Sequence, residues 1–325
     1  MPVLRSERPP ARVAFFCSRT ALAAIAALSA SILAIAAAPG SAARAGAASE
    51  WVASQGPAPC LSLAARNPDG NYIVPGVRGA IVYRRIGSGS GSGSGSSGGG
   101  SGATELSLDA YVQPGGGGPR PGVVVLHGGG WERGSRAAFT GQFLELLTRA
   151  GYNWVAVDYR LGTLADHDRA VDDVQAALAF VRCHARELEI DPARLVLWGE
   201  DTGAQLAALL ASRGSSGVRA MVLVGGIYDL HAAMTIPQGS PTELLLRASP
   251  LHRVRRGMPS TLLVHGAADS DTPVTQARRY CAELHTRIVK ALGARWWSEF
   301  VVVLGQQFTG GLRKLLKRKG RWRAP

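Results

Sequence analysis

The sequence predicts an α/β protein in which a mostly parallel central sheet carries helices on both faces. From residue 123 onward, short apolar runs rich in β-branched residues recur along the chain. Helix-length stretches separate most of these runs, and glycine-rich turns follow several of them. Strands that are buried on both faces read as continuous apolar runs, and their alternation with helices is typical of a parallel sheet.

The first two predicted strands, residues 80–86 and 105–111, flank an unusual tract. Residues 87–102 consist of glycine and serine alone, the composition of a flexible tether, whether native or engineered. Residues 105–111 alternate apolar and polar side chains, as half-buried strands do. Because the entropic cost of loop closure grows slowly with length, we expect the two strands to pair as a hairpin.

The remaining elements follow the alternating pattern. Strands are predicted where apolar runs occur, at residues 123–126, 154–157, 195–198, 221–224, 261–264 and 300–304. Helices are predicted between them, over residues 136–150, 168–187, 205–212 and 274–292. Within the second helix, Asp172 and Asp173 are expected on a solvated face. Ligands of such sheets bind at the carboxyl ends of the strands, so we expect the chemistry there.

The N-terminal 45 residues have the organisation of a secretory signal peptide. Arginines precede an uncharged, alanine-rich run over residues 20–38, and Ala43-Arg44-Ala45 fits an A-x-A cleavage site. An uncleaved anchor and a transit peptide are the alternatives, but alanine is a weak membrane residue. We therefore expect a secreted or cell-envelope protein with a loosely ordered leader over residues 46–79 and a domain over residues 80–310.

Basic residues are concentrated at the two ends of the chain. The formal charge is +13, yet residues 1–45 hold five arginines and one glutamate, and residues 311–325 hold seven basic residues and no acid. Because the body is nearly neutral, we expect no nucleic-acid partner. The tail over residues 311–325 has leucines at helical spacing, so contact with an anionic membrane or polysaccharide and a plain solvated terminus both stay open.

Cysteine usage fits an oxidising compartment. Cleavage would leave Cys60, Cys183 and Cys281, which permits one disulfide and a spare thiol. Cys183 and Cys281 fall in helix-like stretches and are interpreted as small buried apolar residues. No spacing of cysteine and histidine predicts a metal site, and no cofactor is expected.

Three motifs follow predicted strands. The HGGGW sequence of residues 127–131 lets backbone N–H groups approach a substrate closely. The GEDTG sequence of residues 199–203 has the glycines that a tight strand-to-helix elbow requires, with Asp201 at its centre. The HGAAD sequence of residues 265–269 places the carboxylate of Asp269 at a strand end.

These motifs resemble those of the HGGGW-bearing esterase and lipase group of the α/β-hydrolase fold, which includes hormone-sensitive-lipase-like and bacterial feruloyl- and acetyl-esterase-like enzymes. The resemblance covers about residues 81–304. Five segments carry it in order: VVVLHGGGW, VAVDYRL, IDPARLVLWGEDTGAQLAALLAS, SPLHRV and LLVHGAADSDTPV. The resemblance implies a carboxylic ester hydrolase heritage, with a small ester or carbohydrate ester as ligand.

The resemblance also implies roles for individual residues. Asp269 would be the acid of a catalytic triad. The oxyanion hole would be formed by backbone N–H groups of Gly128, Gly129 and Thr202. Three further residues are expected to border the substrate cleft: His127, Trp131 and Glu200.

Two triad positions depart from the family pattern. Asp201 stands where the family has serine, and Gln306 takes the place of the histidine, since the last histidine of the chain is His285. Glutamine cannot shuttle a proton near neutral pH. Loss of the serine or the histidine of such a triad costs on the order of 10⁶ in turnover.

Three functions therefore stay open. The first is a pseudoenzyme that binds a ligand in the inherited cleft. The second is a hydrolase that uses Asp201 as nucleophile, as haloalkane dehalogenases and epoxide hydrolases of this fold do, with His231 as the first candidate for the missing base. The third is a surface-binding protein that acts through its basic tail.

Overall fold

The computed structural model describes residues 61, 63, 76–87, 104–137, 141–214, 217–233, 239–267, 269–286 and 300–304. The predicted signal peptide, most of the leader, most of the Gly/Ser tract, Gln306 and the basic tail lie outside these residues. Within the described ranges, no helix has the length and apolar character needed to span a membrane.

Eight strands form a single sheet. In chain order they are β1 (Arg78–Ile86), β2 (Thr104–Tyr111), β3 (Arg120–Leu126), β4 (Asn153–Val157), β5 (Ile190–Glu200), β6 (Val218–Val224), β7 (Ser260–Gly266) and β8 (Phe300–Leu304). Their spatial order is β1-β2-β4-β3-β5-β6-β7-β8. β2 is antiparallel to β1 and β4, and the other neighbours pair in parallel. The mostly parallel sheet and the hairpin across the Gly/Ser tract are thus confirmed.

Five helices lie among the described residues: α1 (Gly141–Arg149), α2 (His167–Cys183), α3 (Thr202–Ser212), α4 (Thr242–Ala248) and α5 (Thr275–Leu284). The helix predicted over residues 136–150 is shorter than expected, because residues 131–137 form turns and extended chain. The sequence prediction missed α4, whose seven residues are too few to show a clear helical period.

The core lies on both faces of the sheet. Along β3, Val124 and Leu126 face one side, where they join a cluster with α2, α3 and α5. Val123 and Val125 face the other side and cluster with Leu144 of α1. All are fully buried, and burying each such side chain stabilises the fold by about 1.5–3 kcal/mol. β3 is therefore covered on both faces, as its continuous apolar run predicts.

The two adjacent acids of α2 have opposite environments. Asp172 is exposed and pairs with Arg213 at 2.5 Å. Asp173 is fully buried and accepts hydrogen bonds from Arg84 at 2.5 Å and from Nε of Arg160 at 2.8 Å. The expectation of a solvated face is therefore wrong for Asp173, because arginines from β1 and from the loop after β4 accompany its charge into the interior.

The C-terminal end of α2 is joined to the leader. Cys183 is exposed and disulfide-bonded to a cysteine outside the described residues. Cys281 is not in a disulfide, and its half-buried side chain packs against the core. The interpretation of Cys183 as a buried apolar residue is wrong, since it lies outside the apolar face of α2. Beside it, Nε2 of His184 donates to the carbonyl oxygen of Leu61 at 2.8 Å.

Candidate active site

A sharp elbow connects β5 to α3. Asp201 stands at its centre with φ 49° and ψ −117°, a backbone conformation that side-chain-bearing residues rarely adopt. A Cβ added to Gly203 would lie 2.4 Å from the carbonyl oxygen of Leu126, so only glycine lets α3 approach β3 this closely. The N–H of Asp201 donates to the carbonyl oxygen of Val224 at 2.9 Å, which fixes the elbow against β6.

The carboxylate of Asp201 binds the backbone of the HGGGW loop. Its Oδ2 accepts hydrogen bonds from the N–H of Gly129 at 3.0 Å and of Gly130 at 3.3 Å. Gly128 packs directly beneath, since a Cβ there would lie 2.7 Å from the Cβ of Asp201. Thr202, the other predicted donor residue, is buried as the first residue of α3. At least two N–H groups of this loop therefore already hold an oxygen of the chain itself.

Glu200 adds a second carboxyl group to the elbow. Burial, and to a lesser degree the negative charge of Asp201, raises its pKa to about 8. Its Oε2 is buried and makes no hydrogen bond with the rest of the described chain. Glu200 is therefore a neutral acid at pH 7, next to a carboxylate that is held by N–H groups.

Asp269 lies in a turn after β7. Its Oδ1 accepts hydrogen bonds from the N–H groups of Asp271 at 3.1 Å and Thr272 at 2.9 Å. Its Oδ2 is 3.7 Å from Nε2 of His265, which itself donates to the carbonyl oxygen of Thr272 at 2.6 Å. The turn positions Asp269 at the carboxyl edge of the sheet. Gln306, its predicted neighbour, lies outside the described residues.

All seven histidines of the chain lie within the described residues, and none makes a hydrogen bond to Asp201. His127 stacks on Tyr159 with the ring centroids 4.3 Å apart, and burial lowers its pKa. Nδ1 of His127 donates to the carbonyl oxygen of Gly128 at 2.8 Å, so this ring supports the glycine loop. His231 is exposed in a short turn after Asp229.

Comparison with known proteins finds similarity to esterases. Residues 108–221 match the BD-FAE family. Esterase LipC of Mycobacterium tuberculosis is 28% identical over 195 residues, which cover 51% of this chain and 48% of LipC. Carboxylesterase NlhH of the same species is 33% identical over 108 residues, covering 33% of this chain and 34% of NlhH. Native Thermogutta terrifontis esterase 2 has the same fold, with a TM-score of 0.55 and 24% identity over 78% of this chain and 92% of that one.

The chain has the α/β-hydrolase fold, and the relatives that it matches in sequence are esterases and carboxylic ester hydrolases. It spans about half the length of the first curated relatives that it matches. Among the described residues of this α/β-hydrolase, no group of histidine, cysteine, aspartate or glutamate side chains could hold a metal ion.

Gln205 is a site residue that the sequence analysis missed. It is fully buried on α3, one helical turn after Asp201. Its Oε1 accepts a hydrogen bond from Nε1 of Trp131 at 2.8 Å, and its Nε2 donates to the carbonyl oxygen of Ala248 at 2.7 Å. The available signal was a lone amide in a run of alanine and leucine. A buried amide in such a run requires partners.

A shallow surface pocket lies beside Trp131. Tyr159 and Arg160 line it from the loop after β4, and Gly162 and Thr163 continue its wall. Tyr159 connects the pocket to the elbow. Its hydroxyl donates to the carbonyl oxygen of His127 at 2.6 Å, and its pKa is raised chiefly by burial and further by the charge of Asp201.

Proposed function

We propose that this chain is an exported, catalytically impaired carboxylesterase relative that binds a small ligand in the inherited cleft. The observation that carries the proposal is the hydrogen bonding of Asp201 Oδ2 to the N–H groups of Gly129 and Gly130. In an active esterase such N–H groups stabilise the oxyanion that develops on the substrate. Here they are engaged by the residue that replaces the nucleophile.

The site also lacks a general base for proton transfer. Ester cleavage needs a base to accept a proton from the nucleophile or water and to return it to the leaving alcohol. No histidine bonds to Asp201, and Gln306 cannot supply the function. Residual catalysis of about 10³–10⁴ over water is the most that binding and an oxyanion hole alone would leave. A small ester or carbohydrate ester is the ligand class that the family resemblance supports.

The direct test is hydrolysis of p-nitrophenyl butyrate by the protein and by its Asp201→Ala and Asp201→Ser variants. We expect all three to remain near the uncatalysed rate. Serine alone should restore nothing, because the base is still missing. Circular dichroism of each variant verifies that it is folded. Turnover by the unaltered protein that disappears on Asp201→Ala would refute the proposal.

The second candidate function is a hydrolase with an aspartate nucleophile. The hydrogen bonding of Asp201 favours it. Whereas Oδ2 of Asp201 holds two N–H groups, no described residue donates a hydrogen bond to Oδ1. That oxygen can attack an alkyl carbon, with halide as the leaving group and an aspartyl ester as the product. Incubation with 1-bromobutane followed by peptide mass spectrometry tests this. A butyl group on Asp201 would support the nucleophile, and continuing bromide release would require a base, with His231→Ala as the first variant.

We propose export through residues 1–45, which lie outside the described chain. The disulfide at Cys183 supports this, because disulfides persist mainly in oxidising compartments. N-terminal sequencing of the protein recovered outside the cytoplasm should begin at Gly46; recovery of a soluble chain that retains residues 1–45 would contradict cleavage.

For the tail, we expect binding to anionic phosphatidylserine vesicles that weakens with salt and is lost when residues 311–325 are removed.

A further inference from the structure

We propose that the cleft selects a ligand that carries a protonated amine joined to an apolar arm. The amine would lie against Asp201 and the apolar arm against Trp131. This inference rests on the proposed binding function and adds to it the chemical class of the ligand.

The elbow carries the negative charge of the Asp201 carboxylate. In a serine hydrolase this position carries a neutral hydroxyl, whereas Asp201 places a half-buried carboxylate there. The N–H groups of Gly129 and Gly130 donate hydrogen bonds to Oδ2 of Asp201. Oδ1 is left without a hydrogen bond among the described residues. A ligand cation is the natural partner for this oxygen, and a ligand carboxylate would be repelled by it.

Among the described residues, no cationic side chain pairs with the carboxylate of Asp201. None of the ion pairs of the described residues includes Asp201. Arg160 lines the neighbouring pocket, but both its Nε, at 2.8 Å, and its terminal nitrogen, at 3.0 Å, are bound to Asp173. Because Asp173 is fully buried, Arg160 cannot leave it without a large penalty. The charge of Asp201 is therefore available to a ligand.

Trp131 belongs to an apolar surface, and this surface follows the glycine loop that binds Asp201. Trp131 packs with a small cluster that is separate from the two sheet cores, formed by Ile227, Leu230, Leu245 and Ala248. Among the described residues, two large apolar side chains are exposed, and both are next to these elements in the chain: Leu161 at 44% exposure and Leu246 at 38%. Leu161 precedes Gly162, whose N–H donates to the carbonyl oxygen of Trp131 at 3.0 Å. An apolar arm would cover part of this surface.

Trp131 is itself held in position. Its backbone has φ 68°, an outlier for a bulky residue, and such strain persists where the surroundings fix it. The hydrogen bonds to Gln205 and from Gly162 do so at the indole and at the backbone. An aromatic ring attracts an organic cation through its quadrupole, and here the ring follows directly after the glycines that bind the carboxylate.

The test compares three probes with the same phenylbutyl arm: 4-phenylbutylamine, 4-phenylbutan-1-ol and 5-phenylpentanoate, titrated calorimetrically at pH 7. We expect the amine to bind about tenfold more tightly than the alcohol, and the carboxylate more weakly than both. Asp201→Asn keeps an acceptor oxygen for Gly129 and Gly130 while removing the charge, and it should reduce the preference to about twofold or less. The matched control is Asp191→Asn, which removes a charge at the opposite end of β5 and should preserve the preference.

Two outcomes would overturn the inference: equal affinity for amine and alcohol, or a preference that survives Asp201→Asn. Absence of binding by all three probes would overturn it as well. Failure of the proposed function gives a different result, namely turnover of p-nitrophenyl butyrate that is lost on Asp201→Ala. Alcohol binding without charge preference, in a protein without turnover, would leave the proposed function standing and reject the amine.

Discussion

The indole of Trp131 and the carboxamide of Gln205 are joined by a 2.8 Å hydrogen bond. The same carboxamide donates to the carbonyl oxygen of Ala248 at the end of α4. One buried side chain thus connects the glycine loop after β3, the helix that follows the elbow, and the short helix between β6 and β7. The wall of the cleft depends on this connection, although Gln205 has no place in the catalytic chemistry.

Gln205→Leu should destabilise the fold and loosen Trp131. The change leaves the buried carbonyl of Ala248 without its donor, which costs about 1–3 kcal/mol. Urea unfolding measures the loss, and tryptophan emission should shift as the indole loses its partner. Gln175→Leu on α2 is the control, since Gln175 is half-buried and its side chain makes no hydrogen bond with the described residues. Equal losses for both variants would contradict the role assigned to Gln205.

The two acids of α2 should differ sharply on replacement by alanine. Asp173→Ala leaves Arg160 and Arg84 without their buried partner, and we expect a loss of about 3–5 kcal/mol in the free energy of unfolding. Asp172→Ala breaks only an exposed pair with Arg213 and should cost about 1 kcal/mol or less. Chemical denaturation of both variants checks the difference, and similar values would show that the buried network is not what stabilises this region.

Glu200 should make stability fall as the pH rises. Its pKa is about 8 in the folded protein against an ordinary value of 4.5. Below pH 4.5 both states are protonated, between about 4.5 and 8 mainly the unfolded state loses the proton, and above 8 both lose it. The loss therefore accumulates across that window and then levels off.

Glu200→Gln removes this titration, so the decline of the melting temperature between pH 5 and 8 should be shallower than in the unaltered protein. Glu187→Gln changes an exposed carboxyl group that precedes β5, at the edge of the sheet opposite the elbow. This variant should keep the pH profile of the melting temperature of the unaltered protein. Parallel profiles for all three proteins would show that Glu200 is not neutral in the folded state.

Gly203→Ala tests the packing of the elbow. The added Cβ would lie 2.4 Å from the carbonyl oxygen of Leu126, so α3 must move away from β3, at a cost of about 1–3 kcal/mol or more. Gly87→Ala adds the same atom where nothing lies within 4 Å, and it should change stability by about 0.5 kcal/mol or less. Thermal unfolding of the two variants is sufficient to compare them.

The fold could be predicted from the sequence because burial of the sheet on both faces leaves continuous apolar runs such as residues 123–126. Long-range pairing of polar groups left no such periodic signal. Asp173 and Gln205 are buried by partners that lie 13 and 74 residues away in the chain. The lone amide in its apolar run indicates that Gln205 needs partners, but the nearby sequence identifies the partners of neither residue. The elbow motif predicted the position of Asp201, but not that its carboxylate turns back onto the glycine loop.

The disulfide at Cys183 links parts of the chain on the two sides of the Gly/Ser tract. Cys281 is not in a disulfide, and the other two cysteines, Cys17 and Cys60, both precede the tract. A protease that nicked the tract would therefore leave two fragments that travel together on a non-reducing gel and part only after reduction. The pairing of Ile86 with Thr104 extends to the ends of both strands, so β1 would also keep its place without a covalent turn.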